Sequence, residues 1–134
     1  HNARMLSFQS IEDIMNTIEK LTTTVIGKDP QKWRNFTSHY SRVFNASQLD
    51  FDRQLNLIII WLQGANKLRQ NLVSGFERTG LHSRMISFNE KFPNANIYKI
   101  ILCIEEVKSL ARQNLYMPLI LLNMLLDIQE LIYE

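Results

Sequence analysis

Apolar residues recur at intervals of three and four along most of the chain, and strict alternation is nearly absent. That period belongs to amphipathic helices, not strands. The first helix is predicted from Ser10 to Ile26, with Ile11, Ile14, Met15, Ile18, Leu21 and Val25 on one stripe. Ser10 and Asp13 resemble a capping box with the shorter acid, and Gly27 supplies a left-handed stop. Asp29-Pro30 starts the second helix, Asp as N-cap and Pro in the first turn. Its stripe is aromatic: Trp33, Phe36, Tyr40 and Phe44, with Val43, closed by Asn45-Ala46-Ser47.

The third helix is predicted to be the longest, from Gln48 or Asp50 to about Glu77. Leu55, Ile58, Ile59, Leu62, Ala65, Leu68, Leu72 and Phe76 mark its inner face, and Leu57, Ile60 and Trp61 extend that face around the helix. Such a helix needs neighbours on several sides. Gly64 is expected to permit close packing or a bend, and Gly75 to mark fraying. After a loop over 79–83, Ser83 is read as the cap of a short helix carrying Met85, Ile86 and Phe88. A fifth helix is predicted over about 95–113, with Ile97, Ile100, Ile101, Ile104, Val107, Leu110 and Ala111 on one face. The sixth runs from near Met117-Pro118 to near Ile132. Leu119, Ile120, Leu121, Leu122, Met124, Leu125, Leu126, Ile128 and Leu131 cannot share one side of it. Its second face must be covered from within the chain or by a partner. The fold class is therefore all-α, a single compact bundle of five to six helices spanning residues 1–134.

Composition narrows the function more than the fold. The chain has 134 residues, one ordinary domain, with 46% hydrophobic and 21% charged residues. A net charge of +2, with basic residues scattered, does not point to nucleic acid or to an anionic membrane. The apolar run at Leu119–Leu126 is too short to span a bilayer. No secretory signal is visible, and the single cysteine, Cys103, excludes an internal disulfide; a cytoplasmic protein is the expectation. The start at His1-Asn2-Ala3 suggests a fragment of a longer protein, with residues 1–3 a remnant of trimming.

Catalytic chemistry has no foothold in the pattern. His39 and His82 have no acidic or Cys partner at a metal-binding spacing. Glu12-Asp13 and Glu105-Glu106 are adjacent on helices, so their carboxylates diverge and form no dyad. Phosphate-loop, nucleophile-elbow and zinc-helix motifs are missing from the sequence. Thr22-Thr23-Thr24 reads as a solvated helix end bonding back to carbonyls. The sixth helix is too apolar to be a DNA recognition helix. The expectation is a non-enzyme without metal or cofactor. If the chain is a stand-alone regulatory bundle, Trp33, Phe36, Tyr40 and Trp61 are the candidates to line a small-ligand pocket.

Three segments carry a family resemblance. Ile59-Ile60-Trp61-Leu62 lies in a long helix. Ile86-Ser87-Phe88-Asn89-Glu90-Lys91-Phe92 is followed by Asn96-Ile97. Arg112-Gln113-Asn114-Leu115-Tyr116-Met117-Pro118 then leads into a Leu-rich helix. Over residues 50–134 this order resembles the C-terminal collar domain of the bacterial DNA polymerase III clamp-loader delta-prime subunit. The family pattern has a second Asn where Tyr116 stands, an acid where Asn123 stands, and an Arg-Asp pair where Gln63-Gly64 stands. The resemblance implies a non-catalytic oligomerisation domain in a loader ring. Its partners would be the delta and tau/gamma C-terminal helical domains, with no direct contact to DNA. Trp61, Asn114, Tyr116, Pro118 and Asn123 are the motif positions, with Asn114 holding the corner. Leu119, Ile120, Met124 and Ile128 are the candidate subunit interface, and the isolated domain could pair weakly with a second copy.

Overall fold

The computed structural model describes the backbone of residues 8–27, 29–113 and 115–133, and side chains from Ile11 onward. Among the described residues the chain forms six helices and no strand. They are α1 (Phe8–Ile26), α2 (Pro30–Ala46), α3 (Gln48–Arg69), α4 (Leu81–Lys91), α5 (Ile97–Ala111) and α6 (Met117–Ile132). The all-α bundle matches the helical period of the sequence.

Caps set most of the boundaries. The Asp29 carboxylate accepts from Gln31 N at 2.9 Å, which begins α2. Ser47 both ends α2, its N–H donating to Val43 O at 2.9 Å, and begins α3, its hydroxyl accepting from Asp50 N at 3.1 Å. Asn96 caps α5 by accepting from Lys99 N at 3.1 Å. Its own N–H donates to Leu131 O at 2.9 Å and ties the start of α5 to the end of α6.

Three boundaries differ from expectation. The chain is already helical at Phe8, so Ser10 lies inside α1 and not at its cap. The third helix stops at Arg69, well short of Glu77. Asn71 adopts φ 59°, Asn71 N donates to Leu68 O at 3.1 Å and Leu72 N donates to Lys67 O at 2.9 Å. This is a Schellman closure with Asn in the place usual for Gly. Beyond it the Glu77 carboxylate accepts from Ser74 N at 2.7 Å and Gly75 N at 3.0 Å, holding a loop in which Gly75 has φ 93°. Leu72 is consequently 54% exposed, whereas Phe76 reaches the core from the loop. Finally, α4 begins two residues before Ser83, and it is the Thr79 hydroxyl that accepts from Leu81 N at 3.2 Å.

α3 is the central helix and touches α1, α2, α4 and α5. Phe51, Leu55, Leu57, Ile58, Ile59, Trp61, Leu62 and Ala65 are buried around it. Gly64 lies where α4 crosses: a Cβ there would stand 2.7 Å from Met85 Cε and 3.3 Å from Phe76 Cδ2. Close packing, not a bend, is the role of this glycine. α5 and α6 form an antiparallel hairpin, and α6 also packs on α1 and α2. Arg69 fastens the far end of the bundle. Its guanidinium donates to Asn89 Oδ1 at 2.7 Å, to the carbonyls of Pro93 and Ala95 at 3.1 and 3.0 Å, and to Phe92 O.

Candidate subunit interface

The two faces of α6 have different owners. Met117, Ile120, Leu121, Met124, Leu125, Ile128 and Ile132 are buried within the chain. Full burial of one such side chain is worth about 1.5–3 kcal/mol, so this face belongs to the domain's own stability. Leu119, Leu122 and Leu126 are exposed, and Asn123 is exposed beside them. Positions 119, 122, 123 and 126 are spaced three, four and seven apart and form one outer stripe.

This divides the expected interface. Leu119 is 53% exposed and available to a partner. Ile120, at 9%, and Met124 and Ile128, each at 2%, are core residues of this chain and cannot meet a neighbour without unfolding it. The reason is angular: at 100° per residue, 120, 124 and 128 follow the row that α5, α1 and α2 cover, and 119, 122 and 126 follow the opposite one. Leu122 and Leu126 are the interface candidates that a simple apolar count on this helix did not separate out.

The motif positions also separate. Trp61 is 1% exposed and meets Phe88 edge-on with ring centroids 5.3 Å apart, deep under α4. Tyr116 is the N-cap residue of α6 with extended φ and ψ; its side chain makes no cap bond and is 72% exposed. Pro118 lies in the first turn, where a missing N–H costs nothing. Asn123 is on the outer stripe. The expected role of Asn114 falls outside the described residues.

Tyr116, Pro118, Leu119 and Leu122 form one wall of an open groove of about 570 Å³. Pro30, Trp33 and Thr37 of α2 form the other, and Asp29 and Arg34 also line it. The Trp33 indole is half-buried, and its Nε1 donates to Gly27 O at 3.2 Å. Gln129 also lines the groove and spends its Nε2 on Val25 O at 3.0 Å. The surface left is mostly carbon. It can receive apolar side chains.

The four aromatic residues considered for a ligand pocket do not line one cavity. Phe36 and Tyr40 meet inside the bundle as a tilted pair with ring centroids 4.7 Å apart, Trp61 lies under α4, and Trp33 alone faces the groove. Burial raises the Tyr40 pKa, and a side-chain hydrogen bond from Thr17 partly offsets it. Cys103 is half-buried between α5 and α6, 4.0 Å from Asp127 Oδ2. Burial, with Asp127 and Glu106, pushes its pKa up to about 11, so it is a thiol and a poor nucleophile at neutral pH. Among the described residues no three His, Cys, Asp or Glu side chains gather as a metal site, and no helix is long and apolar enough to cross a membrane. Comparison with protein-family models, curated proteins and solved structures finds no match for this chain.

Proposed function

We propose that this domain is a non-catalytic assembly module that docks through the outer face of α6. The observation that carries the reading is the two-sidedness of that helix. One apolar row builds the core, and a second row of Leu119, Leu122 and Leu126 remains outside, beside a carbon-lined groove at Trp33. An apolar helix from a neighbour fits such a groove by presenting side chains at three- and four-residue spacing.

The resemblance of residues 50–134 supplies the finer identity: the collar domain of a cytoplasmic clamp-loader delta-prime subunit. In that reading the neighbours are the C-terminal helical domains of delta and tau/gamma, and the domain holds a loader ring together during sliding-clamp loading. Nucleotide hydrolysis would belong to other subunits. Co-purification of the domain with delta and tau/gamma C-terminal domains tests this. Retention of either partner at micromolar concentration supports the reading, and elution of every folded partner alone contradicts it.

A small-ligand reading has one observation in its favour: the groove volume falls within the range of ligand sites, about 300–1,000 Å³. Quenching or a blue shift of Trp33 fluorescence by a small apolar ligand, abolished by Leu122→Glu, would favour it over assembly.

A further inference from the structure

The opposite side of α2 carries a different chemistry. α2 has seventeen residues and no Asp or Glu, but contains Lys32, Arg34 and Arg42. Lys32, Asn35, His39 and Arg42 run along one of its faces and look across a cleft of about 750 Å³ at Asn16, Lys20 and Thr23 of α1. The span from Lys32 to Arg42 is ten residues, about 15 Å of helix. Lys20, Lys32 and Arg42 make no ion pair with any described residue. Among the lining residues Glu19 is the one carboxylate, and its Oε2 lies 3.9 Å from Arg84 Nη1 on α4. Three cations against that one carboxylate give the cleft an excess of two positive charges, equal to the net charge of the whole chain.

Like charges facing a concave surface raise the local concentration of anions. The asparagine amides and the Thr23 hydroxyl add neutral donors beside the cations. Of the two rings in the lining, Phe36 is buried and the half-buried His39 ring packs edge-to-face on Tyr40 at 4.8 Å, so little flat face is offered for a base to stack on. The surface is therefore suited to phosphate groups more than to bases. His39 senses the same field: burial first, then Lys20 and Arg42, hold its pKa below the usual value.

We propose that the α1–α2 cleft binds the phosphates of an extended polyanion, a nucleic-acid strand or a free oligophosphate, through Lys20, Lys32 and Arg42. The proposal is independent of the α6 interface.

The test uses the 134-residue chain with two probes, tripolyphosphate and a twelve-residue oligothymidylate, followed by amide NMR shifts and calorimetric titration. Shifts at Asn16, Thr23, Asn35 and His39 are expected. The triple variant Lys20→Ala/Lys32→Ala/Arg42→Ala should bind at least tenfold more weakly. A variant of equal charge loss elsewhere, Lys67→Ala/Arg78→Ala/Arg112→Ala, should stay within twofold of the parent. Binding of the oligonucleotide with a log–log salt slope of about −2, as three phosphate contacts on a single strand give, assigns a strand. Binding of tripolyphosphate without the oligonucleotide assigns a free oligophosphate. If neither probe shifts the cleft amides of the parent chain, or the control variant weakens as much as the cleft variant, the proposal is overturned. The parent-chain shifts keep the test decisive even if the triple variant melts early.

Discussion

Trp33 is fixed by its own chain: the indole Nε1 donates to the Gly27 carbonyl oxygen over 3.2 Å. The bond joins α2 to the turn that ends α1 and holds the ring as one wall of the groove. Trp33→Phe keeps an aromatic surface and leaves the Gly27 carbonyl without this donor. A lost hydrogen bond of this kind costs about 0.5–1.5 kcal/mol, read as a lower urea midpoint. Partner binding should weaken more for Trp33→Ala than for Trp33→Phe, because the alanine also removes the wall.

The two rows of α6 predict opposite phenotypes. Leu121→Ala empties space in a fully buried site and should cost about 2–5 kcal/mol in chemical denaturation. Leu119→Glu/Leu122→Glu alters exposed positions and should leave the denaturation midpoint within about 0.5 kcal/mol of the parent. The same double variant should abolish association. Loss of association from Leu121→Ala in a chain that remains folded, with none from the double variant, would place the interface elsewhere.

Gly64→Ala sets helix propensity against packing. Alanine gains about 1 kcal/mol in a helix interior. Its Cβ would meet Met85 Cε at 2.7 Å and Sδ at 3.1 Å, and Met85 is fully buried with Phe76 close by. Overpacking costs about 1–3 kcal/mol, so the variant should be less stable than the parent by thermal denaturation. Met85→Leu shortens the obstructing chain. The pair Gly64→Ala/Met85→Leu should recover stability relative to Gly64→Ala alone, and a strictly additive double variant would refute the contact.

Arg69 should tolerate neither Ala nor Lys. Four acceptors from α4 and the following turn converge on its guanidinium, and the Asn89 amide in turn donates to Ala65 O at 3.0 Å. A lysine has one nitrogen and cannot span that set. Either substitution should cost about 3 kcal/mol, given about 1.5–3 kcal/mol for a hydrogen bond to a charged group and strong coupling among the four. Proteolysis at the Pro93–Asn94 turn should quicken with it.

His39 adds a pH dependence. Its folded pKa lies below the ordinary histidine value of 6.5, chiefly through burial and then through Lys20 and Arg42. The unfolded chain therefore takes up the proton first, and stability present above pH 6.5 declines as pH falls through and below that value. NMR titration of the His39 ring should give a midpoint under 6.5. Salt should raise it only part of the way, because screening removes the charge effect and not the burial.

Helix number and order were legible because the stripes are long and Asp29-Pro30 is an ordinary helix start; the caps at Ser47 and Asn96 emerge from the structure. The end of α3 was not. Leu72 and Phe76 continue the helical spacing past the true stop, and only the left-handed turn at Asn71 ends it. The outer row of α6 was hidden for a related reason. An all-round apolar helix does not reveal which row its own chain covers, and tertiary packing assigns Ile120, Met124 and Ile128 inward and Leu119, Leu122 and Leu126 outward. The pairing of Trp33 with Tyr116 and Pro118 across the groove joins residues more than eighty positions apart, which no local period encodes.

The central claim is that the outer row of α6 is an association surface. Sedimentation velocity of the domain mixed with the delta and tau/gamma C-terminal helical domains tests it most directly. The account predicts a faster-sedimenting complex at micromolar concentration that disappears for Leu119→Glu/Leu122→Glu, with every component folded. Separate boundaries for the parent domain and its folded partners, or a complex unaffected by the double variant, would contradict it.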